Sequence, residues 1–231
     1  MTDPDGGPAA SSTGRRILLL VGPVGAGKGT QAGALSSELG LAHLASGNLF
    51  RQALRDGSAL GEQARAYMER GDLVPDDITI EMFMHELSKP AAARGAILDG
   101  FPRTVAQARA LDATLAERGE QIECVISIEV PLEELVARVA GRRVCPECGT
   151  PYHVDSDPPR VAGHCDKDGA ALQQRDDDRP EVVRARLEKQ VRPMLEVLDY
   201  YDGKGIVQRV DGRRPIPAVT REILGGLRDG W

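Results

Sequence analysis

Aromatic residues are scarce. Phe, Tyr and Trp together make up 3% of the 231 residues, so the core must be packed from aliphatic side chains. That scarcity also disfavours binding of single-stranded nucleic acid, which relies on stacked aromatics. Basic residues hold no majority: 35 Asp and Glu face 29 Lys and Arg, a formal net charge of −6. This argues against a nucleic acid or an anionic membrane as partner, because both select basic surfaces. No apolar run approaches the roughly 18 residues that span a bilayer. Cysteines number four, too few for a disulfide framework in a chain of this size. The first fourteen residues, MTDPDGGPAASSTG, are rich in Gly, Pro and Ser and lack the basic and apolar regions of a signal peptide. A floppy extension and a reducing, cytoplasmic location are the expectation.

What is present reads as an ordinary soluble domain, with 41% hydrophobic and 28% charged residues. The length suits one domain carrying insertions. Short aliphatic runs at 15–22 (RRILLLVG), 96–100 (AILDG), 124–130 (CVISIEV) and 205–210 (GIVQRV) suit buried strands. Helical patterns lie between them, at 28–39, 78–87, 104–118, 132–140, 180–200 and 215–227. Strands alternating with helices predict an α/β fold, a parallel sheet covered on both faces. Ligands bind such sheets at the carboxyl ends of the strands. Two stretches break the alternation: residues 46–77, with glycines at 47, 57, 61 and 71, and residues 144–175, which hold three of the cysteines.

GPVGAGKGT at 22–30 follows the first strand and opens the first helix. Gly22, four residues, Gly27 and Lys28 fit the phosphate-loop pattern, with Gly29 where Ser or Thr is usual and Thr30 one place later. Glycines let backbone N–H groups wrap an anion, and the helix N-terminus adds a positive dipole. Lys28 supplies a mobile charge for the outer phosphates. The glycine spacing does not fit the dinucleotide pattern GxGxxG. A phosphate loop alone leaves ATPase, GTPase and kinase open.

CPECG at 145–149 has a near-copy, CDKDG, at 165–169. Cys145-x2-Cys148, sixteen residues, then Cys165-x2-Asp168 is zinc-ribbon spacing with a carboxylate as fourth ligand. Asp166, His153 and His164 are rival ligands, but only Asp168 reproduces the x2 spacing. Four filled positions make a structural site, not a catalytic one. Cys124, in an aliphatic strand, reads as a small buried hydrophobe.

GPVGAGKGT together with DGFPRTVAQA at 99–108 resembles adenylate kinase, a nucleoside monophosphate kinase. ASGNLFR at 45–51, GDLVPDD at 71–77 and RDDDRPEVVRARL at 175–187 agree with it, in order. The cysteine segment resembles the lid of the long, zinc-containing members. The resemblance implies a core at 15–45, 78–141 and 178–231, an AMP-binding insert at 46–77 and a mobile lid at 142–177. It implies reversible phosphoryl transfer from ATP to AMP giving two ADP, with Mg²⁺, structural Zn²⁺ and a monomeric protein.

By the same resemblance, Gly25, Ala26, Gly27, Lys28, Gly29 and Thr30 cradle ATP. Arg138 and Arg142 lie on the ATP side, and the loop around Arg214 meets the ATP adenine through its main chain. Arg51 and Arg103 hold the AMP phosphate. Ser46, Val74, Gly100 and Gln107 complete the AMP site, with Ser46 and Gln107 at positions that read adenine. Arg175 and Arg186 close on the transferring group, and Asp99 orients the waters of Mg²⁺. A guanidinium fork fits phosphate oxygens as an ammonium does not. Arg143 and Arg184 have no assigned role. Departures from the family pattern are Val24 for proline, and Ser46 and Asn48 where Thr and Asp are commoner. Three other readings compete: a kinase for a different nucleoside monophosphate, a zinc-ribbon nucleic-acid binder, and a kinase relative without turnover.

Overall fold

The computed structural model describes residues 15–69, 72 and 74–229. The expected N-terminal extension, and positions 71 and 73 of the GDLVPDD segment, lie outside the described residues. The first elements are β1 (Arg16–Val21), α1 (Lys28–Leu39), β2 (Ala42–Ala45), α2 (Ser46–Arg55), α3 (Ala59–Glu69) and α4 (Asp76–Leu87). Then come β3 (Gly95–Asp99), α5 (Val105–Ala116), β4 (Ile122–Glu129), α6 (Leu132–Ala140), β5 (Arg142–Val144) and β6 (Pro151–His153). The chain finishes with α7 (Pro180–Asp202), β7 (Val207–Asp211) and α8 (Ile216–Asp229).

Five strands form a parallel sheet in the order β2-β3-β1-β4-β7, and β5 and β6 pair as a separate antiparallel hairpin. The expected α/β architecture is the one the chain adopts. Because side chains alternate along a strand, β1 feeds both faces. Ile17, Leu19 and Val21 pack with residues of α4, α5 and the second half of α7. Leu18 and Leu20 pack with α1, α6, α8 and the first half of α7. The long helix α7 thus serves both faces, and its changeover falls at Pro193, between Val191 and Met194.

Local chemistry sets the helix ends. Gly27, left-handed at φ 98°, precedes α1, and Gly40, at φ 64°, closes it with its N–H on the Ser36 carbonyl. Thr104 caps α5 by accepting from the Gln107 N–H at 3.1 Å. The sequence reading missed β2: it has four residues, and only Leu44 is buried, so no apolar run marks it.

Register positions the site. Asp99 pairs with Leu20 on one side and Ala45 on the other, Val21 pairs with Ser127, and Glu129 pairs with Asp211. The carboxyl ends of all five strands therefore share one edge. The segments that leave that edge begin at Gly22, Ser46, Gly100, Val130 and Gly212.

Two small apolar clusters lie apart from the sheet. Phe50, Ala64, Val74 and Met82 join α2, α3 and the start of α4. Cys145, Tyr152 and Cys165, with Ala170 and Leu172 against them, are all that the cysteine segment buries as a cluster. Three buried residues are too few to hold a segment in one shape by hydrophobic burial alone.

Candidate active site and metal centre

A cleft of about 1360 Å³ opens along the carboxyl edge of the sheet. A single small-molecule site takes roughly 300–1,000 Å³, so this cleft has room for two. All the nucleotide-site residues expected from the sequence line it, from residues 25–30 of the phosphate loop to Arg175, Arg186 and Arg214. It is bounded by the helical segment through Ser46, Arg51 and Val74 and by the cysteine segment through residues 148–153.

The phosphate loop is pressed against α6. A side chain at Gly25, which sits at φ 86°, would begin 2.8 Å from a methyl of Val139, so only glycine fits there. Lys28 Nζ donates to the carbonyls of Gly22, at 2.7 Å, and Pro23, at 2.9 Å. Burial pulls its pKa down to about 8; the charges of Arg103, Arg142 and Arg186 push the same way, and Asp99 opposes them. Asp99 is the counter-charge. Burial would raise its pKa, but a contact from His43 Nε2 at 3.3 Å and the charges of Lys28, His43 and Arg103 outweigh that, holding the carboxyl below the usual range. His43, on β2, was missed with its strand.

The arginines are held individually. Arg103 donates from Nε to the Gly100 carbonyl at 2.7 Å and from Nη2 to Ser46 Oγ at 3.1 Å. Ser46, expected to meet a base, thus also seats an arginine. Arg51 donates to Asn48 Oδ1 at 2.8 Å. Asn48 therefore holds this arginine as an aspartate would, without adding a counter-charge. A side chain at Gly47 would begin 3.1 Å from the same guanidinium, a constraint nothing in the sequence signalled. Arg142 forms a two-pronged pair with Asp178, Nε to Oδ2 at 2.8 Å and Nη2 to Oδ1, and Asp178 is fully buried. Breaking a buried pair by deleting one partner costs about 3–5 kcal/mol, so Asp178 holds its arginine firmly. Arg138 donates to the Gly212 carbonyl at 2.9 Å. The Arg214 side chain donates to Glu222 at 2.5 Å, and the residue lines the cleft.

Gln107 is buried yet lines the cleft. Its Oε1 accepts from the Arg103 backbone N–H at 2.7 Å, and its Nε2 donates to Asp76 Oδ1 at 2.7 Å.

The two knuckles have one geometry. In each, the glycine N–H bonds to the first cysteine's carbonyl, Gly149 to Cys145 at 3.0 Å and Gly169 to Cys165 at 2.9 Å. Both glycines are left-handed, at φ 73° and 74°, a shape few side chains tolerate. The donor atoms of Cys145, Cys148, Cys165 and Asp168 all lie within 4.8 Å of one another. Cys148 and Cys165 sulfurs are 3.6 Å apart, and Cys145 Sγ lies 3.3 Å from both Asp168 oxygens. Tetrahedral zinc with bonds of about 2.0–2.3 Å needs edges of roughly 3.5–3.8 Å, so the set is compatible with zinc. The rivals stand outside this convergent set. Asp166 accepts from Arg160 N–H at 2.8 Å, and His153 Nδ1 accepts from the N–H groups of Asp155 and Ser156. His164 Nδ1 is on the Ala162 carbonyl.

A family model for adenylate kinase matches residues 20–206. The chain belongs to the adenylate kinase family. The adenylate kinases of Staphylococcus aureus (strain N315) and Staphylococcus epidermidis (strain ATCC 12228 / FDA PCI 1200) are each 44% identical to it over 207 residues. That stretch is 90% of this chain and 96% of theirs. Adenylate kinases are phosphotransferases that use Mg²⁺ with ATP, and a lysine, several arginines and a partly buried aspartate around one cleft are what such chemistry needs. Among the described residues, no helix is long and apolar enough to cross a membrane.

The depressed pKa of Lys28 has a measurable consequence. Below about pH 8 the lysine is protonated both free and bound. Above it, ATP phosphates must restore the proton. ATP binding at pH 8.5 is therefore expected to take up protons, read from calorimetric heats in buffers of different ionisation enthalpy. The uptake should vanish in Lys28→Met; equal uptake in both proteins would assign the proton elsewhere.

Proposed function

We propose that the cleft transfers the γ-phosphoryl group of ATP to AMP, reversibly, giving two ADP. The observation that carries this reading is the gathering of Lys28, Asp99, Arg103, Arg142 and Arg186 at the end of one sheet. The acceptor needs no general base. A phosphate monoester has its second pKa at about 6, so AMP is mostly dianionic at neutral pH. The task is to bring two polyanions into line and spread the charge of the transferring group.

The resemblance supplies the residue roles, and their shared place in the cleft supports them. The phosphate loop and Lys28 hold the ATP phosphates with Arg138 on the same side, the backbone around Arg214 meets the ATP base, and Arg51 and Arg103 hold the AMP phosphate. Arg142, Arg175 and Arg186 face the transferring group. Ser46, Val74, Gly100 and Gln107 line the AMP side. Magnesium would sit beside Asp99, which ends β3 and lines the cleft with the phosphate loop. When bound with ATP it supplies neutralising charge, and Asp99 holds it through water ligands.

Residues 15–45, 78–141 and 178–231 serve as the core, 46–77 as the AMP-binding insert and 142–177 as the lid. Zinc on Cys145, Cys148, Cys165 and Asp168 makes the lid rigid, because metal binding replaces the missing core. A rigid lid moves as one body and excludes water. We take the protein to be monomeric and cytoplasmic, the former because insert and lid must move freely, the latter because its thiols suit a reducing compartment.

Two tests follow. Arg103→Ala should raise the KM for AMP about 10- to 100-fold, the loss of one or two charge-assisted hydrogen bonds, and leave the KM for ATP within about threefold. Equal effects on both substrates would refute its role, and faster phosphorylation of CMP or UMP than AMP by the native enzyme would refute the acceptor. Chelation in excess Mg²⁺, or Cys148→Ser, should remove one zinc per chain and lower the melting temperature. Activity at moderate temperature should persist; its disappearance with the fold intact would make the metal catalytic or gating.

A further inference from the structure

An unrestrained glutamine cannot tell adenine from a 6-oxopurine. Its amide pairs with adenine by accepting from N6–H and donating to N1. Turned over, it pairs with guanine or hypoxanthine by donating to O6 and accepting from N1–H. Selectivity for adenine therefore needs something that stops the amide turning over.

The structure assigns that task to Asp76. A carboxylate only accepts and a backbone N–H only donates. With Asp76 Oδ1 at 2.7 Å on one flank and the Arg103 N–H at 2.7 Å on the other, the amide of Gln107 satisfies both in one orientation only. Turned over, it would set oxygen against carboxylate and N–H against N–H, inside a site where Gln107 is 2% exposed. Mispaired polar groups at such a place cost more than the difference between two pairing modes with a base. Each end keeps one unused valence, a lone pair on Oε1 and an N–H on Nε2, and the residue lines the cleft. The pair offered to a base is thus acceptor and donor in the order adenine needs.

Asp76 is itself held. It opens α4, its Oδ2 faces Thr104 Oγ1 at 3.4 Å, and Thr104 caps α5, the helix that carries Gln107. Asp76 touches no substrate; it is a positioning residue that acts on the base through Gln107. Helix capping alone explains the Arg103 contact but not the Asp76 contact, which lies 31 residues away in sequence.

This inference rests on the reading that Gln107 meets the AMP base. The test is initial-rate kinetics of the full-length enzyme with AMP and with IMP as acceptors, at saturating ATP. IMP differs from AMP only in the donor and acceptor order at C6 and N1. In Asp76→Asn the flanking group can donate as well as accept, so the ratio of kcat/KM for AMP over IMP should fall at least about tenfold, with the value for IMP itself rising. Asp76→Glu should keep most of the ratio. If Asp76→Asn does not fold, Asp76→Glu against Asp76→Gln makes the same comparison at greater reach. Equal loss on both acceptors, with the ratio intact while Gln107→Leu collapses it, would overturn the lock alone. An unchanged ratio in Gln107→Leu would overturn the reading of Gln107 and the lock with it.

Discussion

Lys28 shares one edge of a sheet with Arg103, Arg142 and Arg186, and their charges make its own harder to hold. Like charges gather here because five strands end together and each end delivers a polar segment to the same cleft. The partly buried carboxylate of Asp99 offsets part of the repulsion at Lys28, and the cations and His43 around it keep its pKa low. In the absence of substrate, the remaining positive charge is parked on protein groups: Lys28 on two loop carbonyls, Arg103 on Gly100 and Ser46, Arg142 on Asp178. The carbonyl and hydroxyl oxygens that hold Lys28 and Arg103 are neutral and so weaker ligands than phosphate oxygens, whereas Asp178 holds Arg142 as a charged pair. The site is thus built to be relieved by polyanions, and the binding energy of two nucleotides is drawn from that relief.

Holding the charges requires a rigid base and permits soft margins. The sheet core supplies the base, with Leu18, Leu19, Ile97, Leu98 and Ile126 fully buried. Each such side chain contributes about 1.5–3 kcal/mol. The margins carry little of this. The helical segment has a cluster of four buried residues, and the cysteine segment has three, two of them cysteines of the convergent set. A segment so poorly provided must find its order elsewhere, which is the physical reason for two knuckles with matched turns and four convergent donors.

Much of this was legible in the sequence because it is local. The helix at 28–39 was read to the residue, since glycines bracket it. The knuckle spacing singled out Cys145, Cys148, Cys165 and Asp168, and these four side chains converge in the structure while Asp166, His153 and His164 stand apart from them. The arginines were placed by resemblance, and all of them line the cleft. What the sequence hid is pairing across distance. His43 with Asp99 and Gln107 with Asp76 are separated by 56 and 31 residues. No periodicity or spacing rule relates such positions; only the fold brings them together. Gly47 was hidden for a related reason, because its role is the space it leaves for the Arg51 side chain.

The central claim is that Lys28 is held in the cleft at an electrostatic cost which phosphate removes. It is tested most directly by the melting temperatures of the native enzyme and of Lys28→Met at pH 7, each with and without saturating ATP. The account predicts that the variant melts at or above the native protein without nucleotide, despite losing two hydrogen bonds to loop carbonyls, and that ATP raises the native protein by more. A variant that melts well below the native enzyme by the same margin in both conditions would contradict it, and would make Lys28 a structural strut rather than a charge held for the substrate.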